Sequence, residues 1–135
     1  MDASSKRWRQ VTASQYDWEA TALESLRVLL PDSDPFYAWT NFQFTDGGAL
    51  NEVDALVVTH KGVFLTEIKS WAGRVTGDQG TWNQFRPDGS RAAHSNALAA
   101  TSMKARKFSN LIKRNWAASP NAPRAPYIEA LVWFA

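Results

Sequence analysis

Cysteine is absent from all 135 residues, which excludes disulfides and thiolate metal sites. A chain of this length forms one domain and buries a sizeable core without covalent staples. The absence fits a reducing compartment, so a cytoplasmic protein is expected. Long apolar runs are missing too. No segment approaches the roughly 20 residues that span a bilayer, and the N-terminus lacks the apolar stretch of a signal peptide, so no membrane partner is expected. Only two histidines occur, His60 and His94. Neither is spaced with another His or Cys as metal ligands are, and His60 falls in an expected turn, where it reads as surface. There is no glycine-rich phosphate loop, nucleophile elbow or Cys-His pair, which argues against covalent nucleophilic catalysis. The net charge of +2 says little about partners. A local absence says more: no acidic residue lies between Gly89 and Ile128, where Arg91, Lys104, Arg106, Lys107, Lys113, Arg114 and Arg124 are all basic. Such a stretch suits a polyanion, though taken alone it reads first as a solvated helix face.

What is present is organised around Asn51 to Val75. Asn51–Thr59 and Val63–Trp71 are rich in Val, Leu, Ile and Phe, with His60-Lys61-Gly62 between them, and read as a hairpin. Val53, Ala55, Val57, Phe64 and Ile68 are expected on one face, and Leu56, Val58, Val63 and Leu65 on the other. Strands apolar on both faces belong at the centre of a covered sheet. Yet Asp54, Glu67 and Lys69 sit inside them, where charge is expensive. Glu67 and Lys69, two apart, share a face. A two-residue Lys61-Gly62 turn pairs His60 with Val63, which sets Asp54 across from Lys69 and diagonal to Glu67; a turn longer by one residue flips Asp54 away. Two carboxylates and a lysine so arranged suit a divalent cation such as Mg²⁺, which takes one or two protein carboxylates and keeps its other positions for water and phosphate. A buried ion pair that satisfies itself is the equally open alternative.

The flanking segments supply two helices and further strands. Residues 1–13, polar and basic, read as a flexible arm. Ser14–Leu30 reads as a helix opened by a Ser14/Asp17 capping box and ended by Pro31. Leu23, Leu26 and Leu30 form its apolar stripe, and Glu19 lies on that stripe, either as a wet first-turn residue or pointing into the acidic site. Phe36–Thr45 reads as a strand, and Asp46-Gly47-Gly48 as the turn after it. Ala72-Gly73-Arg74 and Gly77–Gly80 are breaks, and Thr81–Arg86 is expected to pair with a strand beginning near Ser90. Trp71 and Trp82 can stack on bases but read first as hairpin packing. Asn96–Trp116 reads as a second helix with Leu98, Thr101, Ala105, Phe108 and Ile112 buried. Arg106, Lys113 and Arg114 are expected in water, and Lys104 lies at the border of the stripe, where it can snorkel or reach a phosphate. Ser119–Pro126 reads as a loop and Tyr127–Phe134 as a strand. A chain ending on an apolar strand reads as a fragment of a longer protein.

Asp54 followed by Glu67-Ile68-Lys69 resembles the PD-(D/E)xK nuclease signature. Glu52-Val53-Asp54, Gly62-Val63-Phe64, Glu67-Ile68-Lys69-Ser70-Trp71 and Gly73, taken in order from about Ser14 to the C-terminus, resemble the nuclease-related domain, NERD. Met103-Lys104-Ala105-Arg106-Lys107 is similar to the NERD segment of large serine/threonine kinases of bacterial phage defence. The chain departs from many members at the second helix: Asn96 is followed by Ala97 rather than Pro, and no Gln follows. The resemblance implies an α/β fold like the restriction-endonuclease core, a mixed sheet flanked by helices, over residues 14–135. It implies Mg²⁺-dependent phosphodiester hydrolysis in nucleic acid, DNA before RNA, with Mn²⁺ as a substitute. Asp54 and Glu67 would hold the metal with the Ile68 carbonyl, Lys69 would position or activate the water, Glu19 would be a further acidic member, and Lys104 a phosphate contact. The competing expectation is a binding module with a retained but inactive site, serving as a sensor within a larger defence kinase.

Overall fold

The computed structural model describes residues 1–116 and 121–135. The apolar stretch from Asn51 onward does form the central hairpin. Its strands, β3 (Ala49–Thr59) and β4 (Gly62–Lys69), follow β1 (Trp8–Gln10), α1 (Asp17–Leu29) and β2 (Tyr37–Asp46). They are followed by β5 (Arg74–Gly77), β6 (Thr81–Phe85), β7 (Arg91–Ser95), α2 (Ala97–Asn115) and β8 (Ile128–Phe134). One sheet runs in the order β1-β2-β3-β4-β8, and a smaller one in the order β5-β6-β7. In the larger sheet β2–β3 and β3–β4 are antiparallel, while β1–β2 and β4–β8 are parallel. This mixed α/β architecture is consistent with a restriction-endonuclease-like fold. Among the described residues no helix is long and apolar enough to cross a membrane.

Each face of the large sheet carries a helix. On one, Ala22 and Leu23 of α1 pack on Ala38, Ala55, Val57 and Ile68. On the other, Ala105 and Phe108 of α2 pack on Phe44, Val53, Leu56, Leu65 and Ile128. Leu23 and Leu65 are 2% and 0% exposed. Burial of a leucine contributes about 1.5–3 kcal/mol, more than any surface ion pair, so these contacts fix the helices over the sheet.

Several expectations change. Residues 1–13 are not a frayed arm: β1 pairs with β2, and the Met1 ammonium donates to the Arg27 and Leu30 carbonyls at 2.6 and 2.5 Å. Those carbonyls lie at the end of α1, where they lack helical partners and the helix dipole is negative. The capping box does not form. Helix α1 starts at Asp17 with Tyr16 as an N-cap that makes no side-chain bond, and the Ser14 hydroxyl is directed to Asn41 Oδ1 at 3.4 Å. Leu98 is 42% exposed and Ala97 is buried in its place. The central turn is His60-Lys61, with Thr59 paired to Gly62. Thr59 Oγ1 pins it, accepting the Lys61 N–H at 3.0 Å and donating to the Gly62 carbonyl at 3.3 Å. Each paired β3 residue from Ala55 to Thr59 therefore meets a β4 residue two positions earlier than expected, and an even shift by itself moves no side chain to the other face. The pairing of β6 with β7 is as expected. The loop expected over Ser119–Pro126 falls partly on 119–120, outside the described residues, and continues irregularly to Pro126.

Gly73 links the two sheets and is held tightly. Its φ is +92°, and an added Cβ would stand 2.0 Å from the Phe85 carbonyl oxygen. Gly48 has φ +82° but open space around it. Left-handed backbone costs a non-glycine residue about 1–2 kcal/mol. Gly48→Ala should lose about that much stability, and Gly73→Ala clearly more, because the β6 backbone must also move. Thermal or urea melts of the two variants compare them directly; equal losses would mean the contact yields freely.

Candidate active site

The site is built on a break in the ladder. Strands β2 and β3 pair at Thr40↔Ala55 and Phe42↔Val53 but skip the residues between, Asn41 and Asp54. Asn41 has φ +50°, a left-handed conformation that asparagine tolerates better than most residues. Both strands change face here. Ala38 lies against α1, whereas Phe42 and Phe44 lie against α2. Likewise Ala55 and Val57 face α1, but Val53 faces α2 with Leu56. The expected placement of Val53 beside Ala55 is thus corrected, because strict alternation does not pass through Asp54.

The β3–β4 ladder ends at Ala55↔Thr66. Beyond it, Asp54 Oδ2 accepts the Ile68 N–H at 2.7 Å, in place of a main-chain acceptor. Burial pushes the Asp54 carboxyl up to about 6, and the nearby Glu67 and Glu19 charges add to this, against the Ile68 hydrogen bond and Lys104. Glu19, in the first turn of α1, is not wet: it is 8% exposed, and its Oε1 accepts Asn41 Nδ2 at 2.5 Å. Asn41 Oδ1 in turn accepts from Gln10 of β1 at 3.1 Å. Glu19, Asn41, Glu52 and Asp54 line a cavity of about 90 Å³.

Glu67 opens on a second cavity of about 280 Å³, shared with Lys69, Trp71, His94, Thr101 and Lys104. Lys69 Nζ lies 3.2 Å from its Oε1 and Lys104 Nζ 3.0 Å from its Oε2. The structure therefore brings Lys69 to Glu67 and sets Asp54 within electrostatic reach of Glu19, Glu67 and Lys104. Lys104 reaches the site from α2, but as a partner of Glu67. Ile68 keeps its side chain in the core and gives its N–H to Asp54.

Two residues of the site escaped sequence reasoning. Asn41 shows only as a poor strand former in a strand. His94 stacks on Trp71, with ring centroids 3.9 Å apart. Gln84 Nε2 donates to the Ala72 carbonyl at 2.9 Å, which turns Gln84 Oε1 toward His94 Nε2 at 3.0 Å. His94 Nε2 must then carry a hydrogen. Trp71 also packs with Trp82 and Phe134, as the packing expectation required.

Among the described residues no three His, Cys, Asp or Glu side chains form a group able to hold a metal. Mg²⁺ asks for less, one or two carboxylates with water completing its shell. Asp54 fits that demand: Oδ1 has no hydrogen-bond partner among the described residues, and a cation there would relieve the repulsion from Glu67 and Glu19.

The raised Asp54 pKa has a sign. The folded value, about 6, lies above the unfolded value near 3.9, so the folded chain holds this proton more tightly. Stability from the group is full below about pH 4 and is lost as pH rises through 6. In EDTA, Asp54→Asn should therefore stabilise the fold at pH 7.5 by on the order of 1–2 kcal/mol, after discounting for partial exposure. The gain should vanish at pH 4. Thermal melts at the two pH values test this, and a variant equally stabilised at both would show that charge is not the cause.

A family profile described as "Nuclease-related domain", NERD, matches residues 14–135. The chain is 42% identical over 126 residues, 93% of its length, to "Probable kinase PglW" of Streptomyces coelicolor (strain ATCC BAA-471 / A3(2) / M145), and it spans 8% of that protein. No solved structure matches the chain. The profile covers everything from just before α1 to the end of β8, including Asp54, Glu67 and Lys69, and the chain belongs to the nuclease-related domain family, NERD.

Proposed function

We propose that this domain hydrolyses phosphodiester bonds in nucleic acid, DNA before RNA, with Mg²⁺ as its cation and Mn²⁺ as a substitute. The observation that carries the reading is the convergence at the end of the β3–β4 ladder: Asp54 fixed by the Ile68 N–H, with Lys69 against Glu67. Asp54 and Glu67 would hold the cation, together with the Ile68 carbonyl. When bound, the cation polarises the phosphoryl oxygen and makes water a stronger nucleophile. Lys69 orients that water and offsets the charge that develops on the phosphoryl group. Glu19, held by Asn41, keeps a further carboxylate beside Asp54. Lys104, which holds Glu67 in the free domain, would turn to the substrate phosphate. The likeness to a segment of a far longer kinase-named protein, with the phage-defence resemblance of residues 103–107, supports a place among other domains of a cytoplasmic defence protein.

A second reading has one observation in its favour. Both oxygens of Glu67 are engaged by lysines, so that carboxylate is already neutralised, as in a binding module whose site is a structural ion pair.

Lys69→Ala separates the two. A positioned acid–base or charge-stabilising group contributes about 10²–10⁴-fold in rate, so Mg²⁺-dependent cleavage should fall by that factor. Affinity for the same oligonucleotide should drop only modestly, and cation affinity should hold or rise, because a nearby positive charge opposes cation binding. Lys104→Ala should weaken binding or turnover more than Lys113→Ala, which sits in water away from the site. If wild type cuts neither DNA nor RNA with Mg²⁺ or Mn²⁺, alone and within its parent chain, the binding-module reading replaces the nuclease.

A further inference from the structure

Beside the Glu67–Lys69 cavity lies a second and larger recess that the proposed chemistry does not use. It measures about 720 Å³ and opens between the small sheet and the start of α2. Trp71 lines both cavities and is the wall between them. The recess is bounded by Trp71, Trp82 and Phe134, whose ring centroids lie 5.7–6.4 Å apart. Leu98 and Phe134 stay 42% exposed there, and Asn96 and Gln79 supply polar groups at its rim.

These rings are fixed in place. Trp82 Nε1 donates to the Asp78 carbonyl at 3.0 Å. Its indole lies so close to Gly77 that an added Cβ would stand 2.3 Å from Trp82 Cδ1. One side of Trp71 is covered by His94. Rigid aromatic surface left open to solvent, sharing a wall with a cavity that carries two lysines, is the combination found where single-stranded nucleic acid binds: bases stack on rings while ammonium groups meet phosphates. The shared wall makes the two cavities immediate neighbours. A paired duplex cannot use such a recess, since its bases are stacked on one another and turned inward.

We infer that the Trp71–Trp82–Phe134 recess is a base-stacking subsite for an unpaired nucleotide next to the phosphate held at Glu67, Lys69 and Lys104, so that the substrate class is single-stranded or frayed DNA. The inference rests on the reading of that cavity as a phosphodiester site, but not on its being catalytic.

The test is fluorescence anisotropy of the 135-residue chain with labelled oligonucleotides in EDTA, where no cleavage intervenes. Wild type should bind a single strand more tightly than a blunt duplex of the same sequence. Binding of the single strand should also quench tryptophan fluorescence. Trp82→Leu keeps apolar bulk and removes the aromatic face. It should weaken single-strand binding about tenfold, the loss of one base stack, leave duplex binding unchanged and keep the melting temperature within a few degrees. Gly77→Ala, which displaces Trp82 without removing it, should act in the same direction and serves if Trp82→Leu does not fold. Equal affinity for single strand and duplex in wild type, or unaltered single-strand binding in folded variants of both kinds, overturns the subsite. Cleavage of DNA together with that outcome leaves the nuclease reading standing alone. Single-strand preference without any cleavage leaves the subsite standing alone.

Discussion

The hydrogen bond from the Ile68 N–H to Asp54 Oδ2 is the interaction on which the site depends. A regular antiparallel ladder would hand that N–H to a main-chain carbonyl and turn Asp54 to one face or the other. Here the ladder stops one pair earlier, and a side chain completes it. An N–H buried without an acceptor costs about 1–3 kcal/mol, so the bond holds both groups in register. It also binds the Asp54 carboxylate to the backbone of the Glu67–Lys69 strand itself. Asp54 and Glu67 therefore keep their spacing through a single residue's backbone rather than through two flexible side chains.

Charge is then arranged against its own comfort. Glu19 from α1, Asp54 from β3 and Glu67 from β4 approach from three elements, and the hydrogen bonds around them differ in kind. Glu67 takes two ammonium groups, Glu19 takes an amide, and Asp54 takes one backbone N–H, leaving burial and repulsion to push its carboxyl up. A core built only for stability would not leave a half-buried carboxylate with a single neutral partner. Concentrating the unrelieved charge on Asp54 makes sense where something else is to supply the compensation.

Much of this was legible in the sequence because it follows from local rules. The apolar doublet of strands, the flanking helices, the small hairpin and the closeness of Lys69 to Glu67 come from period-two and period-3.6 patterns. Asp54 was recognised for a partly incomplete reason. Face parity survived the shift of the turn from Lys61-Gly62 to His60-Lys61, since moving the turn by one residue moves the pairing by two. But the parity argument assumes an unbroken strand, and this strand breaks at Asp54. The break needs Asn41 in left-handed conformation, and that conformation is sustained by contacts with Gln10, Ser14 and Glu19, all distant in sequence. His94 was invisible for a related reason: only the docking of the small sheet on Trp71 carries it to the site. The N-terminal segment read as frayed because its anchor is a pair of orphan helix carbonyls, which no pattern within residues 1–13 reveals.

The basic stretch after Gly89 shows how far composition can be taken. Arg91 lies over the Phe85 ring at 5.0 Å, and Arg114 pairs with Asp46 at 3.1 Å. Of the seven basic residues there, Lys104 alone lines the Glu67 cavity among the described residues. Screening at physiological salt limits exposed charges to a range of about 8 Å, so the others act on a nucleic acid only where it passes directly over them. The sequence signal thus overstates the field at the site. What discriminates there is position: one lysine from α2 and one from β4 holding opposite oxygens of Glu67. In the nuclease reading, a divalent cation would compete with these two lysines for Glu67, and an ammonium freed from that carboxylate would find its next anionic partner in a substrate phosphate.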